Sequence, residues 1–129
     1  MTGYLLDTNA AIFALAFPER LSAAERRAIL KGPNVLSVVS YWEVTLKNMK
    51  GMLDVGNPRT WWQEALEQLA AKPLLLRPEH IAQVQTLPAL HKDPFDRVLI
   101  AQAMREGLAL VTSDATIARY GSKALKVVR

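Results

Sequence analysis

The chain has 129 residues, half of them hydrophobic and 22% charged, enough for one buried core and too few for two independent ones. Sixteen Lys and Arg against twelve Asp and Glu leave a charge of +4, which suits a polyanionic partner as well as it suits a merely soluble basic domain. With no cysteine there is no disulfide framework, thiolate zinc site or cysteine nucleophile, and a cytoplasmic home is expected.

The first strand is predicted over Tyr4 to Leu6, and Asp7, the first charge in the chain, follows it. No basic start precedes that apolar stretch, so the N-terminus reads as mature structure rather than a secretory signal. The apolar run Ala10 to Phe17 falls well short of the roughly 20 residues that span a bilayer, and no membrane association is expected. Ser22-Ala23-Ala24-Glu25 reads as a capping box opening a helix that Gly32 stops. A second strand, Val35 to Leu36, leads into a helix that carries Glu43 and ends at Gly51. Asn57-Pro58 reads as an N-cap with proline in the first turn. In the helix that follows, Trp61 to Leu69 repeats apolar side chains at helical spacing, with Glu64, Glu67 and Gln68 between them.

Leu74 to Leu76 is the third predicted strand. Asp96 then opens a helix that is apolar nearly all round from Val98 to Met104, a pattern that places it deep in the fold, and Gly107 ends it. Strands over Leu108 to Val111 and Leu125 to Val128 complete the chain, with Asp114 after the first of them. Pro73, Pro78, Pro88 and Pro94 punctuate elements rather than separate domains, so residues 1–129 are read as one domain. Short strands alternating with helices predict a doubly wound α/β fold, a mostly parallel central sheet with helices on both faces.

In such a sheet the carboxyl ends of the strands share one rim, and Asp7, Glu43, Asp96 and Asp114 all follow strands or sit early in the next helix. They are expected to converge. Two carboxylates about 4 Å apart repel by about 4 kcal/mol at an effective dielectric of 20, so such a cluster must protonate, recruit cations or bind metal. Carboxylate and water ligands suit Mg²⁺ or Mn²⁺, whereas zinc would usually show Cys or His, and the only histidines are His80 and His91. A divalent ion of that kind serves phosphodiester hydrolysis.

Each acid has an ordinary role as well. Asp7 and Asp114 can cap helices. Glu43 can close a capping box with Ser40 or pair with Lys47 four residues on. Asp96 can complement its helix's positive end, and Asp93 before Pro94 can make an Asx-type turn. Four separate caps need not share a rim, and the constellation therefore carries more weight than any member.

At Leu5-Leu6-Asp7-Thr8-Asn9, Ser37 to Val44, His91-Lys92-Asp93-Pro94-Phe95-Asp96-Arg97 and Thr112-Ser113-Asp114 the chain resembles the PIN-domain ribonucleases, in particular VapC-type toxins of toxin–antitoxin pairs. The resemblance spans essentially the whole chain. It implies a PIN-like three-layer fold and a Mg²⁺- or Mn²⁺-dependent endoribonuclease whose catalytic and metal-binding acids are Asp7, Glu43, Asp96 and Asp114. Asn9, Thr112, Lys47, Arg97 and Asp93 fall at accessory positions: Asn9 and Thr112 to orient acids or phosphate, Lys47 and Arg97 to hold phosphate or offset the acids, Asp93 as an extra carboxylate. It further implies hydrolysis to a 5′-phosphate and a 3′-hydroxyl, a homodimer, and a cognate antitoxin whose basic or apolar segment lies along a groove near the site. Trp61, Trp62, Met49 and Met52 are candidates for those interfaces, although packing in the core explains at least one tryptophan as well.

Three other readings compete. A receiver-like Mg²⁺-binding signalling module would show adjacent acids after the first strand, where Asp7 stands among Leu6, Thr8 and Asn9; a dehalogenase-type phosphatase would want a second Asp where Asn9 stands. A catalytically inactive, RNA-binding PIN subunit would have no need of four retained acids.

Overall fold

The computed structural model describes residues 2–129. Its strands are β1 (Tyr4–Leu6), β2 (Asn34–Ser37), β3 (Ala71–Leu74), β4 (Ala109–Val111) and β5 (Val127–Val128). The helices are α1 (Thr8–Ala16), α2 (Ala23–Lys31), α3 (Val38–Met49), α4 (Pro58–Gln68), α5 (Pro78–Gln85), α6 (Pro94–Glu106) and α7 (Ala115–Ala118). The sheet order is β3-β2-β1-β4-β5 and every pairing is parallel. The doubly wound α/β expectation therefore holds, in a three-layer form with helices on both faces of the sheet.

Side chains alternate across the pleat, so neighbours in one strand feed opposite layers. Leu5, Val35 and Leu110 turn to one face, where they meet Leu99, Ile100, Ala101 and Ala103 of α6 and Ile117 of α7. Leu6, Leu36 and Val111 turn to the other, against Ala10 and Ala11 of α1, Ala28 of α2, and Trp61 and Ala65 of α4. Burial of each large aliphatic side chain contributes about 1.5–3 kcal/mol, and the two layers together hold the sheet flat-on between helices. The continuous apolar stretch of α6 buries Leu99 to Ala103 on all sides, as its sequence implied.

Local signals act where expected. Ser22 and Glu25 form the reciprocal capping box of α2, Asn57 caps α4, and Gly107 closes α6 with φ +67°, a left-handed conformation that costs glycine nothing. The alternative box between Ser40 and Glu43 does not form, because α3 begins at Val38 with Ser37 as its cap and Ser40 lies inside the helix. Strand limits also differ, by a residue at each end of β2 and at the start of β4, and by more in β3 and β5. β3 spans Ala71–Leu74 rather than Leu74 to Leu76, because parallel pairing with Asn34–Ser37 sets its register, while Leu75 and Leu76 lie exposed. Pro73 is tolerated there because β3 is an edge strand with one neighbour. In the last strand only Val127–Val128 pair with β4, Leu125 being taken by a bridge to Ser122.

From β1 the chain builds β2 and β3 on one side and later β4 and β5 on the other. That reversal opens a crevice beyond the carboxyl ends of β1 and β4, the place where side chains from distant segments meet. No helix among the described residues is long and apolar enough to cross a membrane.

Candidate active site

Asp7 leaves β1 as the N-cap of α1 and is 3% exposed. Its Oδ1 accepts the Ala10 N–H at 2.8 Å, and its carboxylate also accepts a hydrogen bond from the buried Thr112 hydroxyl. Thr112 Oγ1 in turn accepts the Asp114 N–H at 3.0 Å, so one hydroxyl ties the end of β1 to the end of β4. Asp114 caps α7 through Oδ1, which accepts from Thr116 N at 2.7 Å and Ile117 N at 3.2 Å. Capping thus proves the correct local description of both aspartates. It does not compete with a second role, because a carboxylate has another oxygen.

Asp114 Oδ2 lies 3.3 Å from His91 Nε2, and Asp96 Oδ2 lies 3.0 Å from the same nitrogen. On the far side of the ring, Nδ1 accepts the Asp93 N–H at 3.2 Å. An imidazole nitrogen that accepts cannot carry the proton, so the ring proton sits on Nε2 and points at the two acids. Asp93 itself is the N-cap of α6, its Oδ1 accepting from Phe95 N and Asp96 N, which is the Asx-type turn anticipated before Pro94.

Glu43 reaches the same rim from α3. Its Oε1 accepts from the Thr8 hydroxyl at 2.7 Å and its Oε2 pairs with Lys47 Nζ at 2.8 Å, so the i, i+4 pairing holds. Thr8 also lies 2.9 Å from Ser40 Oγ, linking the start of α1 to α3.

Arg97 is placed differently from the phosphate-holding position suggested for it. Its guanidinium donates to the carbonyls of Pro88 and His91, to Val84 and Leu87, and to the Tyr120 hydroxyl. Tyr120 Oη accepts the N–H groups of Leu90 and His91 and donates to Pro88 O. Arginine and tyrosine together clamp the segment that carries His91. Asn9 is exposed and makes no side-chain hydrogen bond among the described residues, in contrast to buried Thr112.

The acids bear on one another's ionisation. Burial pushes Asp7 up to about 6, against the hydrogen bonds from Thr112 and Ala10, with the charges of Glu25 and Asp114 adding to the rise. Burial likewise pushes Asp96 up to about 7, reinforced by Asp93, Glu43 and Asp7 and opposed by His91. Asp114 goes the other way: partial burial raises it, but the Ile117 and Thr116 N–H groups and His91 outweigh that and hold it below the ordinary carboxylate range. Lys47 is raised by its hydrogen bond to Glu43, with Asp93 and Asp96 also favouring its charge.

Sequence reasoning assigned no role to His91, Thr8, Tyr120 or Trp42. Thr8 and His91 stood inside the quoted motifs; Tyr120 carried no local signal, since its partners lie some 30 residues away. Among the interface candidates, Trp61 is core, Trp62 stacks on Tyr41 with centroids 5.3 Å apart, and Met49 and Met52 are exposed.

Residues 4–123 match the PIN domain family. Ribonuclease VapC22 of Mycobacterium tuberculosis (strain ATCC 25618 / H37Rv) is 31% identical over 118 residues, 88% of each chain. The fold is shared with VapBC2 from Rickettsia felis bound to a promoter DNA fragment (TM-score 0.70, 16% identity, 98% and 97% of the two chains). It is shared as well with DNA-bound VapBC from Salmonella typhimurium (0.69, 15%, 98% and 97%) and FitAcB from Neisseria gonorrhoeae (0.60, 23%, 98% and 96%).

Proposed function

The chain belongs to the PIN-domain family, and on that premise we propose that it is a Mg²⁺- or Mn²⁺-dependent endoribonuclease, the toxin of a toxin–antitoxin pair, acting at the acidic rim. One observation carries the reading: Asp96 and Asp114 turn oxygens to a single His91 proton while Asp7 and Glu43 press their charge on Asp96. Like charges held so densely are costly, and a bound cation removes the cost.

The donors suit a hard ion, being mostly carboxylate oxygens. Asp7, Asp96 and Asp114 would hold it, with Glu43, whose two oxygens already have partners, adding charge from behind. His91, which offers a ring nitrogen within 4.8 Å of oxygens of Asp96 and Asp114, donates to those acids in the metal-free chain. When bound, such an ion lowers the pKa of a water molecule and offsets charge developing on the phosphate.

The chain's own residues do the rest. Thr112 and Thr8 orient Asp7 and Glu43 by hydrogen bonds, and Lys47, held charged by Glu43, offers a fixed cation to a phosphate oxygen. In-line displacement by water leaves a 5′-phosphate and a 3′-hydroxyl. Pancreatic-type attack by a 2′-hydroxyl usually relies on a histidine pair as acid and base, whereas His80 is buried against Glu106 and His91 is engaged by Asp96 and Asp114. A cognate antitoxin, a homodimer and a cytoplasmic setting complete the proposal; the similar structures include VapBC complexes, which supports the antitoxin.

The test is incubation of purified protein with mixed cellular RNA, with Mg²⁺, Mn²⁺ or chelator, followed by mapping of the ends. Metal-dependent cleavage leaving 5′-phosphates is expected; intact RNA under every condition refutes the reading.

A further inference from the structure

Helices α3 and α6 cross beside the acidic rim, and each brings an aromatic next in sequence to an acid: Trp42 before Glu43, Phe95 before Asp96. Successive helical residues point about 100° apart. Glu43 is accordingly buried at 4% exposure while Trp42 stands 56% exposed on the outside of the crossing. The indole is not loose. It meets Phe95 edge-on, centroids 4.9 Å apart at 76°, and Phe95 is packed against the core layer of α6. A large aromatic side chain is thus held in place beside the crossing of the two helices that carry Glu43 and Asp96, at low entropic cost for any flat partner.

We propose that Trp42 is a stacking platform for an unpaired nucleobase flanking the scissile phosphate. The inference rests on the ribonuclease reading above. It commits to a nucleobase because Trp42 and its partner Phe95 each precede a rim acid in sequence, the chain's +4 charge favours a polyanion, and base stacking on an exposed aromatic is tolerant of sequence. A base-paired strand keeps its faces covered and cannot use the platform.

The experiment titrates a fluorescent single-stranded RNA, its annealed duplex and the same strand with an abasic residue beside the mapped cleavage bond. Binding is read by anisotropy in chelator, intactness on a gel, for wild type, Trp42→Phe and Trp42→Ala. Trp42→Ala should weaken single-strand binding roughly 5- to 100-fold and Trp42→Phe less than about threefold. The abasic strand should lose affinity for wild type and none further for Trp42→Ala. The salt dependence of binding should keep its slope, since no charge is removed. Unchanged affinity in Trp42→Ala overturns the proposal, as does conversion of a dimer to monomers by that substitution in sedimentation, which would assign the indole to contact between copies. If wild type cleaves RNA and Trp42→Ala behaves identically, only the platform fails; if wild type neither binds nor cleaves any RNA, the ribonuclease reading fails first.

Discussion

Two imidazoles in this molecule each lie 3.0 Å from a carboxylate, and they do different things. His80 is fully buried between α5 and α6, its Nδ1 accepting the Arg77 N–H at 3.0 Å and its Nε2 facing Glu106 alone. His91 has the same arrangement of acceptor and donor, yet its Nε2 proton is divided between Asp96 and Asp114, with Asp93, Glu43 and Asp7 pressing further charge on Asp96. One donor for one acid is a balanced, stabilising pair. One donor for several acids leaves an excess of negative charge, the feature on which the proposed cation site rests.

If the difference is real, disturbing the two regions must have opposite consequences. The largest effect is expected at the rim: Asp96→Asn or Asp7→Asn should lower cleavage roughly 100-fold or more while leaving the metal-free melting temperature unchanged or higher, since repulsion is relieved. Mn²⁺ should raise the melting temperature of wild type and not that of Asp96→Asn, because only binding to the folded state stabilises it. Full activity in both variants would remove the basis for placing the chemistry there.

At the balanced pair the loss should be of stability. His80→Ala leaves a cavity and an unpaired Glu106, and should cost about 2–4 kcal/mol in denaturant unfolding with cleavage per folded molecule unaltered. Equal losses of activity at His80 and at the rim would erase the contrast.

The pH response sharpens it further. Asp7 at about 6 and Asp96 at about 7 lie above the ordinary 3.8, so between those values the folded chain binds more protons than the unfolded one. Stability in chelator should therefore fall as pH rises from about 4 to about 7 on account of these groups, and level off above. Asp96→Asn should flatten that decline in a series of thermal melts; an unchanged slope would detach Asp96 from it.

The smallest effect belongs to the clamp that holds His91 in place. Arg97→Lys loses the planar fork shared among several carbonyls and should cost about 1–2 kcal/mol, with a several-fold drop in cleavage as the His91 segment loosens. A phosphate-binding Arg97 would behave otherwise: stability would hold and RNA affinity would fall with a shallower salt dependence.

Much of this was legible from the chain alone because its causes are local. The capping box at Ser22 and Glu25, the stop at Gly107, and the encircled apolar run Leu99 to Ala103 depend on residues within a turn or two of one another. Strand ends were less legible: Leu75 and Leu76 are apolar enough for a strand but lie past the register that Asn34–Ser37 imposes. The aspartates illustrate a different limit. Their caps follow from neighbouring N–H groups, whereas the second oxygen of Asp114 meets His91 only because the fold brings residues 23 apart in sequence together.

Composition, hydrophobic period and the spacing of acids after strands were sufficient to settle a parallel α/β sheet and to predict that acids follow its strands, since each is dictated by short-range geometry and by the shared direction of parallel strands. Which tryptophan is core and which is exposed, that Arg97 turns to carbonyls instead of the rim, and that two acids divide one imidazole proton were decided by tertiary structure. Those outcomes depend on the placement of β4 beside β1 and the crossing of α3 with α6, contacts between segments tens of residues apart whose energies no local pattern encodes.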